Sequence, residues 1–185
     1  MAQTGLRGLL FGVLTETGGV ATYGTAVKPA KAISANVSIT NNEAKLYADD
    51  ALAESDTSFA SGTVTLGIDN TDLEVMGTLL GHTYADGHID RKSTDTAPYV
   101  GLGRIVTKMV NGSYKYKVEF LCKVKFSEPS QEDNTKGENL EFGTSEIEGT
   151  IATLESGLWS MAEEFDTLTE ATSYLNGLFG GATSL

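Results

Sequence analysis

The feature that most constrains this chain is a strand pair built around Asn111-Gly112. Tyr99 to Val110 and Tyr114 to Phe126 both have strand composition. Asn-Gly is a preferred pair for closing a tight antiparallel turn, whose central residues need positive φ. The second run alternates throughout. Tyr114, Tyr116, Val118, Phe120, Cys122, Val124 and Phe126 form one face, and Lys115, Lys117, Glu119, Leu121, Lys123 and Lys125 form the other. A period of two belongs to a strand and not to a helix. The run is longer than the usual strand of ~5–6 residues, so a sheet wider than one small domain is expected.

The rest of the chain repeats this language. Leu9–Leu14 is a short apolar run that reads as a buried strand, followed by a turn at Gly18-Gly19. In residues 32–40, Ile33, Ala35, Val37 and Ile39 alternate with Ser34, Asn36, Ser38 and Thr40, the pattern of a half-buried strand. Asn41-Asn42 reads as a turn and Ala44–Ala48 as a returning strand, with further strands at Thr63–Asp69, Phe142–Leu154 and Leu158–Phe165. Two helices are expected. One follows a Thr71/Glu74 capping box, with Leu73, Met76 and Leu80 on one face and Gly81 at its end; the other runs from Thr167 to Phe179 behind a Thr167/Glu170 box. Residues 49–60, 82–96 and 127–140 read as polar loops.

At 185 residues, with 21 Gly and only 3 Pro, the expectation is one mainly β domain over residues 1–185. It would be an antiparallel β-sandwich or partial barrel with one flanking helix and a C-terminal helix at 167–179. An N-terminal arm at 1–8 and a long loop at 49–60 complete that plan.

Charge narrows the function. Thirteen basic residues against 25 acidic ones give a net charge of -12, which excludes a protein that grips nucleic acid by neutralising phosphates. The charge is also uneven. Arg104, Lys108, Lys115, Lys117, Lys123 and Lys125 face only Glu119 in the 104–125 hairpin, while residues 128–170 hold twelve acids and Lys136 alone. Two readings fit this. Either one copy's basic face meets another copy's acidic face, or the strands are neighbours and pair within one chain.

Catalytic chemistry is thinly represented, and no enzyme is expected. His82, Asp86, His88 and Asp90 share a loop without recognised metal-ligand spacing and read as solvated. Cys122 lies between Phe120 and Val124 and reads as a small core residue. Asp49-Asp50 and Glu163-Glu164 are sequence neighbours that a strand would send to opposite faces, so they make poor acid/base pairs. No catalytic residue, metal or cofactor is expected. With one cysteine, no span of 18 apolar residues and no secretory leader pattern, a soluble protein kept in the cytoplasm where it is made is expected.

The ordered stretches AISANVSI (32–39), LYADD (46–50), LEVMGTLLGHT (73–83), TAPYVGLG (96–103), NGSYKYKVEFLCKVKFSEP (111–129) and FGTSEIEGTI (142–151) carry a resemblance over roughly residues 5–165. In that order and spacing the sequence resembles the major tail proteins, or tail tube proteins, of bacteriophages with long non-contractile tails. The resemblance implies the tail tube fold: a β-sandwich with a flanking helix, assembled as hexameric rings that stack into a hollow tube. It further implies a virion protein that assembles in host cytoplasm, with tape-measure, tail terminator and tail-tip proteins as partners. DNA would pass through the lumen without specific binding, and no membrane is involved.

Within that frame the ring-stacking candidates are Asp49, Asp50, Glu54, Asp56 and Phe59 of the 49–60 excursion, followed by residues 127–140 and the N-terminal arm. The lumen-facing candidates are Ser34, Asn36, Ser38, Glu146 and Glu148, whose negative charge would repel phosphate. Lys115, Lys117, Lys123 and Lys125 are the candidates for a basic face between subunits. The rival expectations are the tube protein of a contractile injection machine and a β-sandwich ligand-binding module.

Overall fold

The computed structural model describes residues 2–29, 32–48, 51–68, 72–110, 112–129 and 145–180, with 2–4, 32, 44–48, 51–57, 68 and 145 described at the level of the backbone. In chain order the elements are β1 (Ala2–Thr17), β2 (Val20–Tyr23), β3 (Ala32–Ala48), β4 (Ala51–Ile68), α1 (Leu73–Leu80), β5 (Thr83–Ala85), β6 (His88–Asp90), β7 (Tyr99–Val110), β8 (Ser113–Phe126), β9 (Ser145–Ile151), β10 (Ser160–Phe165) and α2 (Leu168–Gly177). The chain is mainly β. One antiparallel sheet runs in the order β2-β1-β7-β8-β9-β4-β3, with β10 also beside β8. β5 and β6 form a separate small hairpin inside the stretch expected as loop 82–96.

The β7–β8 hairpin forms as its sequence dictates, with Val110 opposite Ser113 and Gly112 at φ 82°. Its expected single apolar face does not survive. Val100 pairs with Val124 but Leu102 pairs with Leu121, so Cys122 and Lys123 both stand opposite Gly101. That extra residue is a β-bulge, and it reverses the side to which the following residues point. Val118, Phe120 and Cys122 therefore enter one core with Leu10, Ile105, Ala171, Leu175 and Phe179. Leu121, Val124 and Phe126 enter another with Leu9, Phe11, Val64, Leu66, Ile147 and Ile151. β8 also changes partner across the bulge, from β10 at Tyr116–Leu121 to β9 at Val124–Phe126.

The second core unites residues of β1 and β4, which lie four places apart in the strand order. A flat sheet could not bring them together, so the sheet is folded over on itself, with Met76, Leu79 and Leu80 of α1 joining the enclosed core. The first core lies on the other side of β7 and β8, under α2. Gly101 and Gly103 flatten the strand there. A Cβ at Gly101 would stand 2.5 Å from the Tyr23 ring, and one at Gly103 would stand 2.3 Å from Leu175. Phe120 packs edge-on against Tyr23 and Phe179 at 4.9 and 5.4 Å between centroids. Fully burying a ring or leucine of this kind contributes about 1.5–3 kcal/mol.

Both helices start at capped ends. α1 is capped by Asp72, whose carboxylate accepts from the Glu74 N–H at 3.2 Å; the expected cap, Thr71, lies outside the described residues. Gly81 closes it at φ 78°. α2 is capped as expected by Thr167, which accepts from the Glu170 N–H at 3.3 Å and donates its hydroxyl to the Glu170 carboxylate at 2.8 Å.

Three further expectations are corrected. Residues 2–8 are not an arm: they begin β1 and pair with β7, from Ala2 opposite Met109 to Arg7 opposite Ile105. Residues 51–60 are not a loop, and Asn41-Asn42 is not a turn. β3 and β4 continue as one ladder out to Ala48 opposite Ala51. Polar composition concealed these strands because a ribbon with no core to cover has no reason to alternate.

Candidate assembly surfaces

The expected lumen residues come together. Ser34, Gly67 and Glu146 form one row across β3, β4 and β9; Asn36, Thr65 and Glu148 form the next; Ser38, Thr63 and Thr150 form the third. Directly paired residues share a face. Ser34, Asn36, Ser38, Glu146 and Glu148 are all exposed on it, while Ala35, Val37, Ile39, Val64, Leu66, Ile147 and Ile151 point to the enclosed core. The stretches 33–40, 58–67 and 146–151 contain two carboxylates, several hydroxyls and no lysine or arginine. Thr63, Thr65 and Thr150 belong to this face and were missed, although the alternation of their segments already marks them.

Beside this face lies an extension. β9 pairs with β4 only as far as Gly62 opposite Ile151, and beyond it residues 40–48 and 51–61 pair only with each other among the described residues. The ladder beyond that point is roughly 25 Å long at ~3.3 Å per residue. Phe59 anchors its base by stacking on Trp159, with centroids 4.7 Å apart and planes 9° apart. Of the stacking candidates, Glu54 and Asp56 fall on the backbone of this ribbon, opposite Leu46 and Ala44. Asp49 and Asp50, like residues 130–140, lie outside the described residues. β3 is also the last strand of the sheet, with no strand on its outer side among the described residues.

The basic hairpin is largely paired within the chain. Lys115 pairs with Asp166, Lys117 with Glu119 at 2.6 Å, Lys123 with Glu16 at 2.7 Å and Lys108 with Glu164 at 2.6 Å. Lys125 lies over the Tyr99 ring at 5.4 Å. Arg104 binds Glu119 and also donates to the Ala35 carbonyl of β3 at 3.1 Å, tying the folded-over half of the sheet to the central hairpin. Of the two readings of the charge asymmetry, pairing within one chain holds for Lys115, Lys117 and Lys123. The Lys123 ammonium and the Glu155 N–H hold the Glu16 carboxyl below its ordinary range. For Glu119, burial alone would raise the carboxyl, but Lys117 and Arg104 outweigh it and hold it low.

The loop histidines do not gather as a group. His88 is exposed and touches Asp90 at 3.0 Å. His82 is elsewhere, 7% exposed, with Nδ1 2.8 Å from Asp95 and Nε2 on Glu128. The carboxylates sit at opposite nitrogens of one ring, so no single point lies within ~2.2 Å of all three donors, the reach of a metal bond. Sequence spacing pointed to the wrong neighbours because Glu128 is 46 residues away. Cys122 is fully buried, and burial pushes its thiol up, away from reactive thiolate character.

No protein-family model matches this sequence, and a search of curated proteins finds no match.

Proposed function

We propose that this chain is a structural virion protein, the tail tube subunit of a long non-contractile phage tail, forming hexameric rings that stack into a hollow conduit for DNA ejection. The observation that carries the reading is the polar face of β3, β4 and β9, where Ser34, Asn36, Ser38, Glu146 and Glu148 fall into adjacent cross-strand rows. Its only charged side chains there, Glu146 and Glu148, are negative. Such a wall repels phosphate and offers passing DNA no site to bind. The outer edge of β3 supports the reading too, since no strand pairs with it among the described residues and such an edge is a template for another chain. So does the β3–β4 ribbon, because a two-stranded ribbon is marginal in water and gains order from a partner.

On this reading the protein has no catalytic activity. Its partners are copies of itself, the tape-measure protein, the tail terminator and the tail-tip proteins. Negative-stain microscopy of the purified chain, with tail-initiation components added, tests it. Straight hollow tubes or stacked rings are expected. Replacing residues 44–56 by a two-residue Asn-Gly turn should abolish tubes while leaving the melting temperature of the body nearly unchanged. A wild-type chain that stays a small monomer at high concentration under those conditions overturns the proposal.

A further inference from the structure

Three separate pieces of chain meet at His82. The residue follows Gly81 at the end of α1, where its N–H donates to the Gly77 carbonyl at 2.9 Å. Asp95, on the segment between β6 and β7, meets Nδ1, and its carboxylate also accepts from the Lys92 N–H at 2.9 Å. Glu128, two residues beyond the end of β8, meets Nε2. Asp95 and Glu128 are the charged groups in contact with the ring, and Lys92 stands behind Asp95; Glu74, the acid of α1, is in the opposite, first turn. A neutral imidazole has one N–H and can donate to only one carboxylate, whereas an imidazolium donates to both.

We propose that His82 is a proton-operated clasp, closed as the imidazolium, that fixes the exit of β8 at Ser127–Pro129 to α1 and the 91–98 segment and lets go of one carboxylate on deprotonation. The Asp95 contact first, and Glu128 second, hold the ring's pKa above its ordinary value of 6.5 against the opposing effect of burial. The clasp's contribution is thus complete below the ordinary value and fades as pH rises through the raised one. It belongs to the single chain and does not depend on the tube reading.

The protein has two histidines, and a proton NMR titration resolves the His82 ring from the exposed one. His82 should titrate above the ordinary value of 6.5, and Glu128→Gln, a change at a half-exposed side chain, should lower the His82 midpoint. Wild type should melt roughly 2–4 °C above Glu128→Gln below pH 6, with the gap closing above the His82 midpoint. A His82 midpoint at or below 6.5, a midpoint unmoved by Glu128→Gln, or a melting gap independent of pH would each overturn the clasp.

Discussion

The two long hairpins of this protein are similar in length and opposite in surroundings. β7–β8 runs through the middle of the sheet, covered by one core on each side, and most of its charges are paired, three of them by acids outside the hairpin and the rest by each other. β3–β4 lies at the sheet's end, covered on one side only, and continues past its last neighbour as a free ribbon. One hairpin has its interactions completed within the chain. The other presents hydroxyls and an outer edge beside the two carboxylates of β9, which are groups another molecule can complete. Stability and assembly are therefore expected to separate along this division.

Phe120→Ala gives the largest contrast. It empties the centre of the α2 core and should cost about 3–5 kcal/mol in denaturant unfolding, whereas Asn36→Ala on the β3 face should stay within ~0.5 kcal/mol. Similar losses at the two positions would erase the division. Glu119→Gln comes next, at about 1–2 kcal/mol near neutrality, because Arg104 and Lys117 both lose their carboxylate. The sign with pH follows from the lowered Glu119 carboxyl: its contribution is present above the ordinary carboxylate range and disappears as pH falls through the lowered value. The unfolding gap between wild type and this variant should thus shrink in acid, and a gap that persists at pH 2 would assign the loss to packing.

Phe59→Ala should cost about 1 kcal/mol by removing the Trp159 stack, with more effect on tube yield than on melting. Melting loss without assembly loss would make Phe59 part of the closed region. The smallest stability effect belongs to the Glu146→Gln, Glu148→Gln double variant, within ~0.5 kcal/mol. Tubes should form normally while DNA ejection slows. If tubes vanish instead, the two carboxylates belong to a subunit contact and not to the wall of the lumen.

Much of the fold was legible without coordinates, and the reason is locality. The period-two runs at 32–40 and 114–126, the Asn111-Gly112 turn and the cap at Thr167 are all settled by residues within a few positions of one another. The polar face was legible for the same reason, since alternation names the outward residues before their partners are known. Errors arose where local signals mislead. The ribbon of 41–61 is a strand pair with loop-like composition, and residues 2–8 form a strand where the sequence suggested only a terminal arm.

What only the tertiary structure decided are relations across long stretches of chain. The bulge at Cys122–Lys123 splits one apolar stripe between two cores, and its position depends on the register against β7. Which lysine meets which acid depends on partners as distant as Glu16 for Lys123, 107 residues away. Burial of His82 between Asp95 and Glu128 required three elements to converge before the ring had any partner at all. Sequence by itself determined most of the core strands and the sign of the charge; the folded sheet decided which charges cancel inside the chain and which remain exposed on its surface.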